Sequence, residues 1–399
     1  MKKIILFIFS TILMVACNDV ESIEKISERA FEMALIQCKL MDQQIDENNA
    51  PRSYTPQDEF VTSTLSWWCS GFYPGTMWYI YEKTGDEEIK ALAEKNTIKL
   101  ADVDACKSGH DVGFQYWCSY GNGLRLADHQ DYLPTIEKAA ASLAERFNPV
   151  VGCFRSWGDI DEKEHFKVII DNMMNLELLM EASKLFNCDS LAQIAKTHAN
   201  TTITHHYRPD YTCYHVVNYD QTTGLPAIKH TAQGFADESA WARGQAWGLY
   251  GYTMMFRETA DPLYLKQAEN IAKLLLERLP EDGIPYWDFD CTAIPYTYRD
   301  ASAGAIMASA FVELAGLTKD KRLSKDCEKM SMKQIRTLAS DEYMCTEPGK
   351  NGCFLLRHSV GNLTGGADRK ILEIDAPLTY ADYYFLEALI RWDKKEGRL

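Results

Sequence analysis

The 399-residue sequence is short of positive charge: 42 Lys and Arg stand against 57 Asp and Glu, a formal net charge of −15. No Lys/Arg run exceeds a pair or triplet, so the basic stripe that phosphate backbones require is missing, which argues against nucleic acid. The total does not fix the sign of a small ligand, because one Arg in an enclosed site outweighs a distant acidic surface. There is no Pro/Gly/Ser-rich linker and no low-complexity stretch, which favours one domain over the two or three that the length permits. Cysteine forms no C-x-x-C pair. The eleven cysteines after Cys17 are odd in number and scattered, unlike a disulfide framework or zinc site, and read as small buried side chains. Among them, Cys345 and Cys353 are close enough in sequence to bond. H-E-x-x-H, G-x-S-x-G and G-x-x-x-x-G-K-[ST] are absent, and the nine histidines, His205-His206 included, repeat no ligand spacing.

What is present is 46% hydrophobic and 25% charged, the composition of a globular protein. Lys2 and Lys3 precede an apolar run, Ile4 to Val15, that is too short for an ordinary transmembrane helix and reads as a signal peptide. Ala16-Cys17 has the form of a bacterial lipobox, with Cys17 as the lipidated first residue of the mature protein and Met14 where Leu is usual. Removing residues 1–16 takes away two lysines and gives −17. The expected domains are therefore 1–16, a lipoprotein signal peptide, and 17–399, a single catalytic domain. The expected location is periplasmic or anchored in the outer membrane. A cleaved, soluble form occupies the same compartment.

One pattern recurs: a turn carrying Asp, then an amphipathic segment with Lys and Glu between apolar residues. The turn aspartates are Asp86, Asp131, Asp189, Asp261 and Asp320, spaced by 45, 58, 72 and 59 residues. Each stands where an N-cap belongs. The preceding segments, 71–82, 113–126, 173–185, 240–257 and 302–317, are apolar or aromatic on most sides and read as buried helices. Helices over 20–44 and 378–392 bring the total to about six pairs. Buried and half-exposed helices in alternation predict stacked hairpins, enough to close an all-α (α/α)6 barrel. An open tetratricopeptide array would repeat at about 34 residues, which these spacings do not. The inserts 148–170, 204–238 and 279–299 are expected as loops on one rim.

The segments at the starts of the buried helices are aromatic: Ser66-Trp67-Trp68, Phe114-Gln115-Tyr116-Trp117, Arg155-Ser156-Trp157, and Ser239 to Trp247 with Trp241 and Arg243. Flat rings beside Arg and amides suit a sugar with a carboxylate, though any single ring is equally a core residue. Arg243 and Trp247, four apart, share a helix face, which would hold a planar carboxylate beside a ring. Asp111 and Asp171 open two buried helices. Each alone reads as an N-cap, but together in an aromatic cleft they read as an acid–base pair. A helix N-terminus favours the ionised form, whereas a general acid must keep its proton through burial or a like charge. Asp368-Arg369-Lys370 reads as a solvated loop able to touch an anion.

The strings WWCSGFYPGTMWYIYEKTGD, HDVGFQYWCSYGNGLRL, RSWGD, IIDNMMNLELL, YHVVNYD, DESAWARGQAWGLYGYT, IPYWDFD, RDASAGAIMASA and HSVGN…DAPLTYADYYFLEAL resemble glycoside hydrolase family 88, the unsaturated glucuronyl hydrolases. They run in order from about residue 66 to 390. The resemblance implies an (α/α)6 barrel that removes a terminal 4,5-unsaturated uronate from lyase-made glycosaminoglycan oligosaccharides by hydrating the C4=C5 enol ether. It implies Asp171 as general acid/base and Asp111 as the second catalytic carboxylate, helping to keep Asp171 protonated. His215, Gln233, Arg243 and Trp247 match positions around the uronate, and Trp68, Trp157 and Trp241 match the aromatic walls. It implies no metal or organic cofactor. A serine–serine–lysine pattern found in some members is matched here only at Ser359, which leaves the preferred glycosaminoglycan and sulfate tolerance open. The competing readings are the sister activity on unsaturated pectin fragments, a non-catalytic glycan-binding lipoprotein, and a sugar epimerase, whose histidine-based site these strings do not match.

Overall fold

The computed structural model describes residues 21–102, 109–364 and 373–399. The expected signal segment, Cys17 and Asp368-Arg369-Lys370 lie outside the described residues. In chain order the helices are α1 (Ile23–Asp42), α2 (Phe72–Thr84), α3 (Glu87–Ile98), α4 (Asn122–Ala127), α5 (Leu133–Ala144), α6 (Leu176–Leu185), α7 (Asp189–His206), α8 (Ala242–Thr259), α9 (Pro262–Arg278), α10 (Ala301–Leu317), α11 (Lys321–Leu338) and α12 (Thr379–Lys395). A π-helical stretch, Gly113–Gly121, runs into α4, and a 3-10 turn, Ile170–Met174, precedes α6.

Burial separates two rings. α2, the π stretch with α4, α6, α8, α10 and α12 are inner helices. In α10, ASAGAIMASAFVELAGL, the residues from Ala301 to Val312 are all buried, because its small side chains admit neighbours on every side. The outer helix α11 buries one stripe, Leu323, Cys327, Ser331, Gln334, Ile335 and Leu338, and leaves its Lys and Glu wet. Each inner helix packs on the next, and α12 packs on both α10 and α2, so the inner ring closes. α1 fills the outer position between α11 and α3, completing six hairpins. The expected (α/α)6 barrel is the observed fold.

Aromatic residues fill the axis. Phe72 meets Phe114 and Tyr383, both at 5.2 Å, and Phe114 meets Trp247, also at 5.2 Å, tying four inner helices together. A cavity between the inner helices is lined by paired charges, among them Glu177, Glu313 and Glu387 with Arg257 and Arg391.

Three of the five turn aspartates cap as expected: Asp86, Asp261 and Asp320 accept first-turn N–H groups of α3, α9 and α11. Two do not. Asp131 lies inside a 3-10 turn ahead of α5, whose start is set by Pro134, and Asp189 is the first residue of α7, behind Cys188. Its charge still faces the positive helix end.

The rim inserts are not only loops. β1 (Asn49–Tyr54) and β2 (Phe60–Thr64) form a hairpin, and β3 (Phe147–Asn148) pairs with β4 (Cys153–Phe154). β5 (Phe166–Ile169), β6 (Val216–Tyr219) and β7 (Pro226–His230) make an antiparallel sheet, and β8 (Ser359–Val360) pairs with β9 (Ile374–Ala376). The sheet joins the insert that ends at Asp171 to the one carrying His215, residues distant in sequence. Cys345 and Cys353 are both free thiols. Among the described residues, no helix is long and apolar enough to cross a membrane, and no cluster of His, Cys, Asp or Glu suits a metal ion.

Candidate active site

Gly113 brings the two carboxylates to one place. A Cβ there would stand 2.6 Å from Asn175 Cα, so only glycine lets the start of the π stretch lie against the turn at 170–175. The Phe114 N–H donates to Asn175 Oδ1 at 3.1 Å and locks the contact. Asp111 and Asp171 thus enter one cleft, with side chains 19% and 15% exposed. Neither is an N-cap: those positions fall to Val112 and Ile169, without side-chain capping bonds.

Both carboxyls are pushed up to about 7. Burial is the largest cause for each. Arg146 and Asn175 pull Asp111 down, while Arg243 pulls Asp171 down and the charge of Asp111 raises it. Burial therefore outweighs the partners that favour ionisation, which makes both carboxyls candidates for a group that holds its proton near neutral pH.

His215, on the chain just before β6, stands with Nε2 3.8 Å from Asp171 Oδ2. Its Nδ1 accepts the backbone N–H groups of Ala232 at 3.1 Å and Gln233 at 3.2 Å. Burial holds its pKa well below the ordinary value, so the ring is neutral with its hydrogen on Nε2. Trp241 lies 4.4 Å from the His215 ring and Trp157 stands edge-on to it at 6.0 Å. Trp247 is fully buried, and its Nε1–H is directed at Asp171 without closing a full hydrogen bond. Trp68 is half-buried against Phe114 and Tyr380.

Arg243 differs from the expected open fork. Nη1 donates to Val360 O at 2.5 Å and to Asp300 Oδ2 at 3.3 Å. Nη2 donates to Gly361 O at 2.6 Å and to Gln233 Oε1 at 2.7 Å. The guanidinium also lies 4.5 Å over Trp241, not over Trp247. The terminal nitrogens already serve four protein acceptors, so Arg243 acts as a fixed charge. Gln233, whose oxygen it holds, is left with its amide N–H groups for a ligand. Ser359 is fully buried in β8, beside the Val360 carbonyl that binds Arg243, and its Oγ has no partner.

His110, Asn172, Asn175 and Asp300 escaped the sequence reading. Asp300 caps α10 and anchors Arg243 and the Val360 N–H, a role foreshadowed only by its place before Ala301-Ser302. The two asparagines follow Asp171 at one and four residues, and His110 precedes Asp111. That adjacency was the available signal. Buried polar atoms without partners gather here: Asp171 Oδ2, His215 Nε2, Trp247 Nε1, His110 Nε2 and Ser359 Oγ. Folded proteins seldom leave such atoms unpaired; here His110 Nε2 faces Asp111 Oδ1 at 3.4 Å and His215 Nε2 faces Asp171 Oδ2 at 3.8 Å, so rings and carboxyls form one polar cluster.

No protein-family model matches the chain. An unsaturated glucuronyl hydrolase of Formosa agariphila is 44% identical over 357 residues, 88% of this chain and 87% of that one. The crystal structure of an unsaturated glucuronyl hydrolase specific for heparin superposes with a TM-score of 0.88 at 42% identity, covering 94% of this chain and 98% of that one. A Streptococcus agalactiae unsaturated glucuronyl hydrolase, as an aspartate-to-asparagine variant complexed with dGlcA-GalNAc6S, aligns at 28% identity and a TM-score of 0.78, covering 94% and 93%.

Proposed function

Because this chain belongs to the unsaturated glucuronyl hydrolases of glycoside hydrolase family 88, we propose that it acts through Asp171 and Asp111 on the terminal unsaturated uronate of lyase-made glycosaminoglycan fragments. Asp171 gives a proton to C4 of the C4=C5 bond. As the carboxylate it then takes a proton from the water whose oxygen bonds to C5. The resulting hemiketal opens at the ring oxygen, and collapse at C1 frees the partner sugar and an open-chain keto acid. One water is consumed and Asp171 ends protonated. The uronate carboxylate lies in the field of Arg243 and takes N–H groups from Gln233 and His215 Nε2, while Trp157, Trp241 and Trp68 flank the ring and exclude water. Ser359 supports the shelf on which Arg243 rests.

The observation that carries this reading is the carboxyl pair raised to about 7 among unpartnered polar atoms. The test follows the ultraviolet absorbance of the conjugated double bond in lyase-made disaccharides. It falls with the wild type and persists with Asp171→Asn; a mutant turning over at the wild-type rate would remove Asp171 from the acid role. Heparin, chondroitin, hyaluronan and pectin fragments are run side by side. The 42% identity to the heparin-specific relative, against 28% to the complex with dGlcA-GalNAc6S, puts heparin fragments first. Absorbance lost only with pectin fragments would move the substrate class, and no loss with any fragment would favour a binding protein.

The segment 1–16 with Cys17 supports a lipid-anchored protein outside the inner membrane. Cys17→Ala is expected to abolish incorporation of a labelled fatty acid into the protein; undiminished labelling would remove Cys17 as the lipid anchor.

A further inference from the structure

The two carboxyls are faced by histidines in opposite tautomers. Asn172 Nδ2 donates to Phe154 O at 2.9 Å and to Ser156 Oγ at 3.0 Å. A carbonyl oxygen can only accept, so the amide is fixed with Oδ1 toward His110, 2.6 Å from Nδ1. Oδ1 too can only accept, and His110 therefore carries its hydrogen on Nδ1. The Asn175 Nδ2 group, 3.5 Å from the same nitrogen, finds no lone pair there. Burial, with Arg146 in support, holds the His110 pKa down to about 3, so the ring is neutral and Nε2 bears a lone pair. That Nε2 is buried, has no other partner, and stands 3.4 Å from Asp111 Oδ1.

Around Asp171 the polarity is reversed. His215 offers Nε2–H, Trp247 offers Nε1–H, and Arg243 supplies positive charge. A lone pair repels a carboxylate and accepts from a carboxylic acid, whereas N–H groups stabilise the carboxylate. The other groups at the pair are Arg146, which follows α5, and the Asn175 amide, both of which draw Asp111 toward ionisation, and the Asp111 carboxyl, which when ionised raises Asp171.

We propose that His110 is a positioning residue for the catalytic proton, holding it on Asp111 in the ligand-free enzyme as O–H···Nε2 and leaving Asp171 as the carboxylate. This rests on the reading of Asp111 and Asp171 as the catalytic pair. Asp171 becomes the acid only once the anionic uronate offsets Arg243 and occupies His215 Nε2–H; the proton it then carries comes from Asp111, whose carboxylate is left facing Arg146 and the Asn175 amide. The enzyme is armed by its substrate's own charge.

The test uses full-length, ligand-free enzyme with 13C in the aspartate carboxyls, titrated from about pH 4 to 9. Signals are assigned by their loss in Asp111→Asn and Asp171→Asn. The Asp111 carbon is expected to stay in the acid form to higher pH than the Asp171 carbon. His110→Gln, whose amide can turn an N–H toward Asp111, is expected to lower the Asp111 midpoint by about one pH unit or more. In parallel, 15N-histidine spectra are expected to show His110 protonated at Nδ1 and bare at Nε2. Asp171 titrating above Asp111, or a His110 hydrogen on Nε2, would overturn the proposal. If His110→Gln does not fold, the wild-type order and tautomer still decide. Wild-type turnover is measured separately: its absence would refute the enzyme reading while leaving the proton order readable in the spectra.

Discussion

Asp111 and Asp171 bind a proton more tightly folded than unfolded, and the sign of that difference makes a stability prediction. Their folded pKa of about 7 lies above the unfolded value near 3.9. Their contribution is therefore most favourable below the unfolded pKa and is lost as pH rises through about 7. Asp171→Asn is expected to lower kcat by roughly 10²- to 10⁴-fold yet melt a few degrees higher than wild type at pH 8, the gain fading toward pH 4. Thermal melts at the two pH values check this. Because Arg243 holds Asp171 down, the alkaline limb of kcat, measured with the anionic substrate bound, is expected at higher pH than that of kcat/KM. Coincident limbs would remove Arg243 from the titration. The pair was legible in the sequence as two aspartates at helix starts. The four acceptors on Arg243 were not, because Val360 and Gly361 act through backbone carbonyls that no side chain announces.

The proposed catalytic carboxyls stand at the starts of two inner helices, and the separation of those starts is set by a missing side chain. Gly113→Ala would place a Cβ 2.6 Å from Asn175 Cα and 2.8 Å from its Oδ1, forcing the Asp111 and Asp171 segments apart. Overpacking of this kind costs about 1–3 kcal/mol, and a shift near 1 Å at the site costs about 10²-fold in rate. The variant is expected to fold, melt lower and lose kcat at least tenfold, measured by circular dichroism and the absorbance assay. Helix positions were legible from burial pattern, and Ala242–Thr259 and Ala301–Leu317 fall within two residues of expectation. The sheet of β5, β6 and β7 was not, since its strands are four or five residues long and β5 pairs with β6 across the whole α6–α7 hairpin. Asp131 and Asp189 show the same limit. An Asp before an amphipathic run fits a cap or a first-turn residue equally well, and only backbone geometry separates them.

Across the whole molecule, α12 closes the ring between α10 and α2 and also covers α1. Its residues from Thr379 to Ile390 are all buried. A chain ending before Thr379 would expose the faces of three helices, and it is expected to lose both soluble expression and the circular-dichroism signal of the full chain. A folded, active truncation would show that the ring need not close. The acidic total and the Arg243 site coexist because a buried charge acts over a few ångströms in low dielectric, whereas surface carboxylates are screened within about a Debye length.

By itself the sequence determined the class of fold: six alternations of all-round apolar and one-sided helices leave few arrangements other than a closed double ring. It also determined which residue types were available for chemistry, through Asp111, Asp171 and the tryptophans at helix starts. Only the tertiary structure decided that Arg243 is tethered on four sides, that His110 and His215 present opposite ring nitrogens, and that Asp300 lies beneath the site. Periodicity records which face of a helix meets water. Hydrogen-bond direction depends instead on which atoms the closed ring brings within 3 Å, and those partners lie up to 118 residues apart.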